Sequence, residues 1–183
     1  MWISDGCMSS AGAAHKVAFG ADAVPGCYED LGLADLLVLA GSNAAWAHPV
    51  LYPRMKASAR DGRKVVAIDP RRTATSELAD LHLTLRPGTD TILYNGLLVW
   101  LSQQHYLDRQ YIADHSQDFE AALSAAEAAA PSTESVAAQC DLAVGDVETF
   151  YRWFAETSRT VTGFSQGINQ SVAGTDTLSH THS

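Results

Sequence analysis

The sequence has little cysteine and no C-x-x-C pair. Its three cysteines are Cys7, Cys27 and Cys140. An odd number at wide spacing argues against a disulfide framework, and without a C-x-x-C pair a zinc ribbon or an internal iron–sulfur site is disfavoured. Any chemistry by cysteine therefore has to depend on a single thiol.

Positive charge and long apolar runs are also scarce. The 12 lysines and arginines are outnumbered by 21 acidic residues, and the net charge of −9 repels nucleic-acid phosphates. No apolar run reaches the roughly 20 residues that a membrane span needs. The first residues, MWISDGCMSS, lack the basic and apolar segments of a signal peptide. The composition thus predicts a cytoplasmic protein that binds neither nucleic acid nor membranes.

Apolar runs without alternation predict buried parallel strands. Two such runs are LLVLAG at 36–41 and KVVAIDP at 64–70, with a helical pattern at 49–60 between them. The run DLHLTLRP at 80–87 alternates and is predicted to be an edge strand, and TVTGFSQG at 160–167 is predicted to be a further strand. This order of elements predicts an α/β fold, a doubly wound, mostly parallel, Rossmann-like sheet with helices on both faces.

The remaining segments favour helices. A long apolar helix is predicted after Asp90, helix-forming residues occupy 107–130, and an amphipathic helix begins at Val144. We expect a new helix to begin at Asn169 and the chain to be truncated soon after it. The predicted organisation is an N-terminal segment at 1–30, a dinucleotide-binding domain at 31–170 and a truncated or divergent tail at 171–183.

Polar residues follow three of the predicted strands, where an open α/β sheet binds its ligands. A glycine in Gly41-Ser42-Asn43 lets backbone N–H groups approach a phosphate at the start of the next helix. An acid after the second strand, Asp69, can accept hydrogen bonds from a ribose, and Arg71 and Arg72 can neutralise phosphate charge. Asp90 can pair with the N1–H and amino group of a guanine. Turns and helix caps use the same residue types, so each feature alone also has an ordinary structural explanation.

Two further residues are candidates for the site. Cys7 precedes a helix-like run at 11–19, and a position near a helix N-terminus favours its thiolate. His48 lies at the predicted binding edge and is expected to line the site. Cys27 and Cys140 are expected to be small buried apolar residues. An NAD-dependent dehydrogenase is disfavoured, because G-x-G-x-x-G is missing and Asp69 lies further from Gly41 than the usual ~20 residues.

Four motifs in this order resemble bacterial assimilatory nitrate reductases of the molybdopterin oxidoreductase family. They are CMSSAGAAHKVAFGADAVPGCYEDL, ADLLVLAGSNAAWAHPVLYPRM, VVAIDPRRTATSELADLHLTLRPGTD and SQGINQSVAG. The resemblance covers nearly the whole chain, from Cys7 to about Asp176, but does not include residues 3–6 or 178–183.

The resemblance implies bis-molybdopterin guanine dinucleotide as cofactor, with this domain binding one guanosine half. The implied roles are pyrophosphate binding by Gly41, Ser42 and Asn43, ribose and phosphate binding by Asp69 and Arg71, guanine binding by Asp90, and positions near the pterin and metal for Gly167, Asn169 and Gln170. Cys7 matches the cysteine that ligates molybdenum. Met8, directly after it, favours nitrate reductases over formate dehydrogenases, which typically have histidine there.

The implied reaction is reduction of nitrate to nitrite by oxygen-atom transfer. Family members are several times longer, with a four-cysteine domain that holds a 4Fe–4S cluster and a C-terminal domain. An electron donor such as ferredoxin, flavodoxin or an NADH-linked subunit is implied for the complete enzyme. We therefore expect the isolated chain to be inactive. The alternative is a stand-alone guanine-nucleotide or molybdopterin-binding module without catalysis, for which Cys7 has no use.

Overall fold

A parallel four-stranded sheet organises the residues that the computed structural model describes, which are 9–22, 26–58 and 62–171. The strands are β1 (Leu36–Ala40), β2 (Lys64–Ile68), β3 (Leu81–Leu83) and β4 (Thr160–Phe164), and their order is β3-β2-β1-β4. The helices are α1 (Ser9–Phe19), α2 (Asp30–Leu33), α3 (Ala44–Ala47), α4 (Leu51–Ala57), α5 (Asp90–Gln103), α6 (Arg109–His115), α7 (Phe119–Ala129), α8 (Thr133–Cys140), α9 (Val144–Glu156) and α10 (Gln166–Asn169). A short 3₁₀ turn spans Ser76–Leu78.

Both faces of the sheet are covered, as the unbroken apolar runs predict. All five residues of β1 are buried. Leu36 and Val38 contribute to one core, which includes residues of α1, α5, α8 and α9. Leu37 and Leu39 contribute to a smaller core that includes Met55 of α4. Because neighbouring residues of a strand point to opposite faces, this division confirms the doubly wound α/β fold.

The glycine in the middle of α5 allows close packing on the larger core. A Cβ atom at Gly96 would lie 2.4 Å from Cγ2 of Val136 and 2.5 Å from the hydroxyl oxygen of Tyr151. α5 therefore needs a residue without a side chain where it meets α8 and α9. Glycine has a low helix propensity, and the close packing that it allows offsets this cost.

The order of the strands creates a switch point between β1 and β4. The chain moves outward from β1 to β2 and β3, and then crosses back to place β4 on the other side of β1. The strands are parallel, with Ala40 beside Phe164, so their carboxyl ends lie side by side. Ligands of doubly wound sheets bind at such a crevice.

Several details differ from the sequence-based predictions. The region 107–130 forms two helices, because Asp118 takes a left-handed φ of 57° between them. The last helix, α10, begins at Gln166 rather than at Asn169. Cys140 is buried as expected, whereas Cys27 is exposed, because it precedes α2 in a surface segment. β3 is an edge strand, as its alternation predicts. None of the helices described has the length and apolar character required to cross a bilayer.

Two buried tyrosines of the larger core form a matched pair for a stability test. The hydroxyl of Tyr151 donates a 2.7 Å hydrogen bond to the carbonyl of Leu93, whereas that of Tyr94 has no partner among the described residues. We expect Tyr151→Phe to lower the free energy of unfolding by about 1 kcal/mol and Tyr94→Phe to leave it unchanged or raise it. Urea unfolding followed by circular dichroism measures both. Equal losses would contradict this difference in bonding.

Candidate functional site

The glycine loop after β1 meets the start of α10 at the carboxyl ends of β1 and β4. Gly41 has a left-handed φ of +54°, and its N–H donates to the carbonyl of Ile68 at 2.8 Å. Its own carbonyl accepts from the N–H of Gly167 at 3.0 Å. A Cβ atom at Gly41 would lie only 2.7 Å from the backbone nitrogen of Ile168. The structure thus brings these two sequence-predicted glycines into direct contact.

The residues after Gly41 present backbone donors. The N–H groups of Ser42 and Asn43 have no hydrogen-bond acceptor among the described residues. Ser42 is only 6% exposed, and a buried N–H without a partner is costly. Two adjacent N–H groups in a loop are a common way to bind an anion. The N-terminus of the next helix was expected to help bind the anion, but α3 adds little because it has only four residues.

The side chain of Asn43 stabilises the loop. The hydroxyl of Thr75 donates to Oδ1 of Asn43 at 3.1 Å and accepts from the N–H of Ala45 at 2.9 Å. Thr75 is buried and comes from the loop after β2. It therefore links the loops that follow the first two strands. Sequence reasoning missed this residue, since nothing in its surroundings distinguishes it from other threonines.

Asp69 and Asp90 lie close enough to interact electrostatically. Asp69 follows β2, and its Oδ1 accepts from the N–H of Arg71 at 2.8 Å. Asp90 is the first residue of α5 and is half-buried. Burial raises the pKa of Asp90, a backbone hydrogen bond opposes this rise, and the negative charge of Asp69 adds to it. A half-buried carboxylate without a cationic partner is suited to bind a ligand that donates hydrogen bonds.

The predicted cations face solvent. The Nε of Arg71 lies 3.9 Å from Oδ1 of Asp69, and 75% of the Arg71 side chain is exposed. Arg72 and Arg86 are also exposed near the same edge. Apart from the 3.9 Å contact of Arg71 with Asp69, no ion pair within the described ranges holds these side chains in place.

Asn169 contacts the first turn of α1, and its implied position near the pterin and metal stays a prediction. It is buried, and its Oδ1 accepts a 2.8 Å hydrogen bond from the N–H of Ala11 in the first turn of α1. It thus caps the helix that follows the segment with Cys7. Gln170 is exposed beside it. Cys7 and Met8 lie outside the described residues, so their predicted roles remain predictions.

The capping bond of Asn169 predicts a stability effect. We expect Asn169→Ala to lower the free energy of unfolding by about 1–2 kcal/mol, because a buried N–H at the start of α1 loses its acceptor. Asn169→Asp keeps an acceptor and should retain more of the stability. Hydrogen exchange followed by mass spectrometry should show faster exchange in α1 for the alanine variant alone. Unchanged exchange in α1 would contradict the capping role.

His48 lines a cavity whose walls do not include Asp69 or Asp90. It follows α3, and burial lowers its pKa. With Ser42 it lines a cavity of about 640 Å³ that continues along β4. His48 therefore shares a cavity with one end of the glycine loop, whereas the two carboxylates do not line that cavity. Its place in the ligand site stays a prediction. Within the ranges described, no three His, Cys, Asp or Glu side chains are grouped as metal ligands.

The fold defines the class: a doubly wound α/β protein whose strand order has a switch point between β1 and β4. The chain belongs to the molybdopterin oxidoreductase family, whose sequence pattern it matches over residues 1–183. It is 43% identical over 171 residues to a nitrate reductase of Shewanella frigidimarina, covering 93% of this chain and 18% of that protein. It is 46% identical over 172 residues to a nitrate reductase of Klebsiella oxytoca, covering 93% and 19%.

Two further proteins, one similar in sequence and one in fold, also match this chain. A periplasmic nitrate reductase of Desulfovibrio desulfuricans is 34% identical over 180 residues, covering 92% of this chain and 23% of that protein. Acetylene hydratase of Pelobacter acetylenicus has a similar fold, with a TM-score of 0.81 at 22% identity, covering 96% of this chain and 24% of that chain. The chain spans about a fifth of the length of the first two relatives.

Proposed function

We propose that this chain is the part of an assimilatory nitrate reductase that binds one guanosine half of bis-molybdopterin guanine dinucleotide. The observation that carries the proposal is the pair of N–H donors at Ser42 and Asn43, for which the described residues supply no acceptor, on the same sheet edge as the carboxylates of Asp69 and Asp90. Donors for a pyrophosphate and acceptors for a ribose and a base are what a guanosine dinucleotide requires.

Each group has a role in this proposal. The N–H groups of Ser42 and Asn43 bind the pyrophosphate, for which Gly41 shapes the loop and Arg71 supplies positive charge. One oxygen of Asp69 is already used by the Arg71 N–H, and the other accepts from the ribose. Asp90 accepts two hydrogen bonds from guanine. Burial lowers the pKa of His48 beside the glycine loop, which favours the neutral imidazole.

The rest of the proposal concerns the metal. Cys7 ligates molybdenum through its thiolate and Met8 lines the metal site, while Gly167 and Gln170 lie near the pterin. Asn169 contributes by holding α1, which directly follows the segment with Cys7. When bound, the molybdenum cofactor supplies two-electron oxygen-atom transfer, which reduces nitrate to nitrite.

The region that matches this chain is only about a fifth of the nitrate reductase relatives, so a complete enzyme includes further parts. We propose that they include a 4Fe–4S domain, a C-terminal domain and an electron donor such as ferredoxin, flavodoxin or an NADH-linked subunit. The enzyme is proposed to be cytoplasmic, although one relative is described as periplasmic. The isolated chain is then expected to produce no nitrite.

Calorimetric titration of the purified chain with guanosine diphosphate and adenosine diphosphate tests the binding site. Both ligands carry the same ribose and diphosphate, so only the base differs. We expect the guanine nucleotide to bind about tenfold more tightly or better, because adenine cannot donate two hydrogen bonds to Asp90. Equal affinities would refute the guanine assignment, and absence of binding by both would refute the site.

A further inference from the structure

The backbone carbonyl of Asp69 is bonded by a side chain rather than by the sheet. Nε2 of His82 lies 2.9 Å from this carbonyl oxygen. A carbonyl oxygen can only accept, so Nε2 has to carry the proton and donate. Within the described ranges no backbone N–H donates to the same carbonyl, because the pairing of β2 with β3 stops at Ile68 and Leu83. His82 therefore supplies the hydrogen bond that a longer edge strand would supply.

The position of His82 in β3 explains why its ring can reach Asp69. Side chains alternate along a strand. Leu83 is buried in the larger core and Leu81 packs against it, so the His82 ring lies on the other face of the sheet. The neighbouring strand is β2, with Ala67 beside His82. From there the imidazole extends past the end of β2 to Asp69.

Two further hydrogen bonds restrict Asp69. Its N–H donates to the carbonyl of Leu83 at 3.2 Å, and its Oδ1 accepts from the N–H of Arg71 at 2.8 Å. The first bond restrains φ, the second restrains the side chain, and the bond from His82 restrains ψ. Pro70 follows and limits Asp69 to extended conformations. Oδ2 is the one polar atom of Asp69 without a hydrogen-bond partner among the described residues, and these three bonds set its direction.

We propose that His82 is a positioning residue of the guanosine site: its hydrogen bond holds Asp69 so that Oδ2 accepts from the ribose hydroxyls, and it thereby sets the preference of the site for a ribose. The inference rests on the proposed function, which assigns the ribose to Asp69. Asp69 is only 7% exposed, so a change in its ψ would turn Oδ2 away from the ligand. An acceptor that is held in place before the ligand arrives binds it without a further ordering cost.

A pair of nucleotides measures this effect. Guanosine diphosphate and 2′,3′-dideoxyguanosine diphosphate differ only in the two ribose hydroxyls. We expect the purified wild-type chain to bind the complete ribose about tenfold more tightly, because the hydroxyls donate a charge-assisted hydrogen bond to Asp69. His82→Phe keeps a ring of similar size but has no donor, so this preference should fall to about threefold or less. Calorimetric titration measures both affinities.

Matched variants separate the hydrogen bond from the packing of the ring. The amide nitrogen in His82→Gln reaches nearly as far as Nε2, so this variant should keep most of the preference for the ribose. His82→Val has no donor, suits an edge strand and replaces His82→Phe if that variant does not fold. The preference for guanosine over adenosine diphosphate depends on Asp90 and should be unchanged in all three. A variant that merely damages the fold would lose both preferences.

The outcomes separate this inference from the function on which it rests. If the wild-type chain prefers guanosine to adenosine diphosphate, but the variants without a donor keep the full preference for the ribose, only the positioning role of His82 is overturned. Equal loss in His82→Gln also overturns it, because the hydrogen bond then makes no difference. A wild-type chain that does not distinguish the two guanine nucleotides refutes the roles of Asp69 and His82 but not the guanine assignment. If the wild-type chain binds neither diphosphate, the proposed function fails and this inference fails with it.

Discussion

Gly41→Ala is expected to lower the free energy of unfolding by about 3 kcal/mol or more. The left-handed φ of +54° costs a residue with a Cβ atom about 1–2 kcal/mol. The new Cβ would also lie 2.7–2.9 Å from backbone atoms of Gly167 and Ile168. Backbone atoms cannot rotate away as a flexible side chain can, so the loop after β1 and the start of α10 must separate. Urea unfolding followed by circular dichroism measures the loss.

Gly20→Ala is the matched control for this substitution. Gly20 also has a left-handed φ, +73°, but nothing lies within 4 Å of its added Cβ. The free energy of unfolding of the Gly20→Ala variant should therefore fall only by the cost of the left-handed backbone, about 1 kcal/mol. If both variants lose the same free energy of unfolding, the close contact between Gly41 and the start of α10 is refuted. A folded Gly41→Ala variant should also bind guanosine diphosphate less tightly, because Ser42 and Asn43 move with the loop.

The sequence predicts the sheet well because burial on both faces leaves a simple pattern. Uninterrupted apolar runs identify β1 and β2. Glycines indicate where two strands end, since Gly41 follows β1 and Gly167 follows β4. Polar residues just after strands must then share one edge. The positions of Gly41, Asp69 and Asp90 follow from this topology, without any knowledge of side-chain packing.

Contacts between distant segments could not be predicted in the same way. The capping bond joins Asn169 to Ala11, 158 residues away, and Thr75 joins Asn43 across 32 residues. Neither bond leaves a periodic pattern in the sequence. The exposure of Cys27 is a similar case, because burial of a lone cysteine depends on which segment covers it.

Asp90→Asn is expected to weaken binding of guanosine diphosphate by about 10- to 100-fold. A carboxylate accepts hydrogen bonds from both N1–H and the amino group of guanine, whereas the amide accepts only one and turns a donor toward the other. Xanthine has a carbonyl where guanine has the amino group. Xanthosine diphosphate should therefore bind the variant better than it binds the wild-type chain. Calorimetry with guanosine diphosphate and xanthosine diphosphate measures how the substitution changes the relative affinities for the two nucleotides.

The same substitution is expected to stabilise the free protein. Burial and the charge of Asp69 raise the pKa of Asp90 in the folded state, so the folded chain binds the proton more tightly than the unfolded chain. Stability therefore falls as pH rises from the ordinary carboxyl pKa through the raised one. Above that range the wild-type chain has the full penalty of the buried charge, which Asp90→Asn lacks. Urea unfolding at neutral pH should show a higher free energy of unfolding for the variant.

The opposite signs of these two effects make the assignment of Asp90 testable. If Asp90 serves only the fold, removing its charge loses a favourable interaction with the start of α5 and lowers the stability, whereas a binding residue loses affinity and gains stability. Guanosine diphosphate binding should also weaken as pH falls through the raised pKa of Asp90, because the protonated acid loses an acceptor. Asp69→Asn removes one cause of that rise and should move this pH dependence to lower pH. Affinity that does not change with pH, together with a destabilised Asp90→Asn variant, would identify Asp90 as a structural cap.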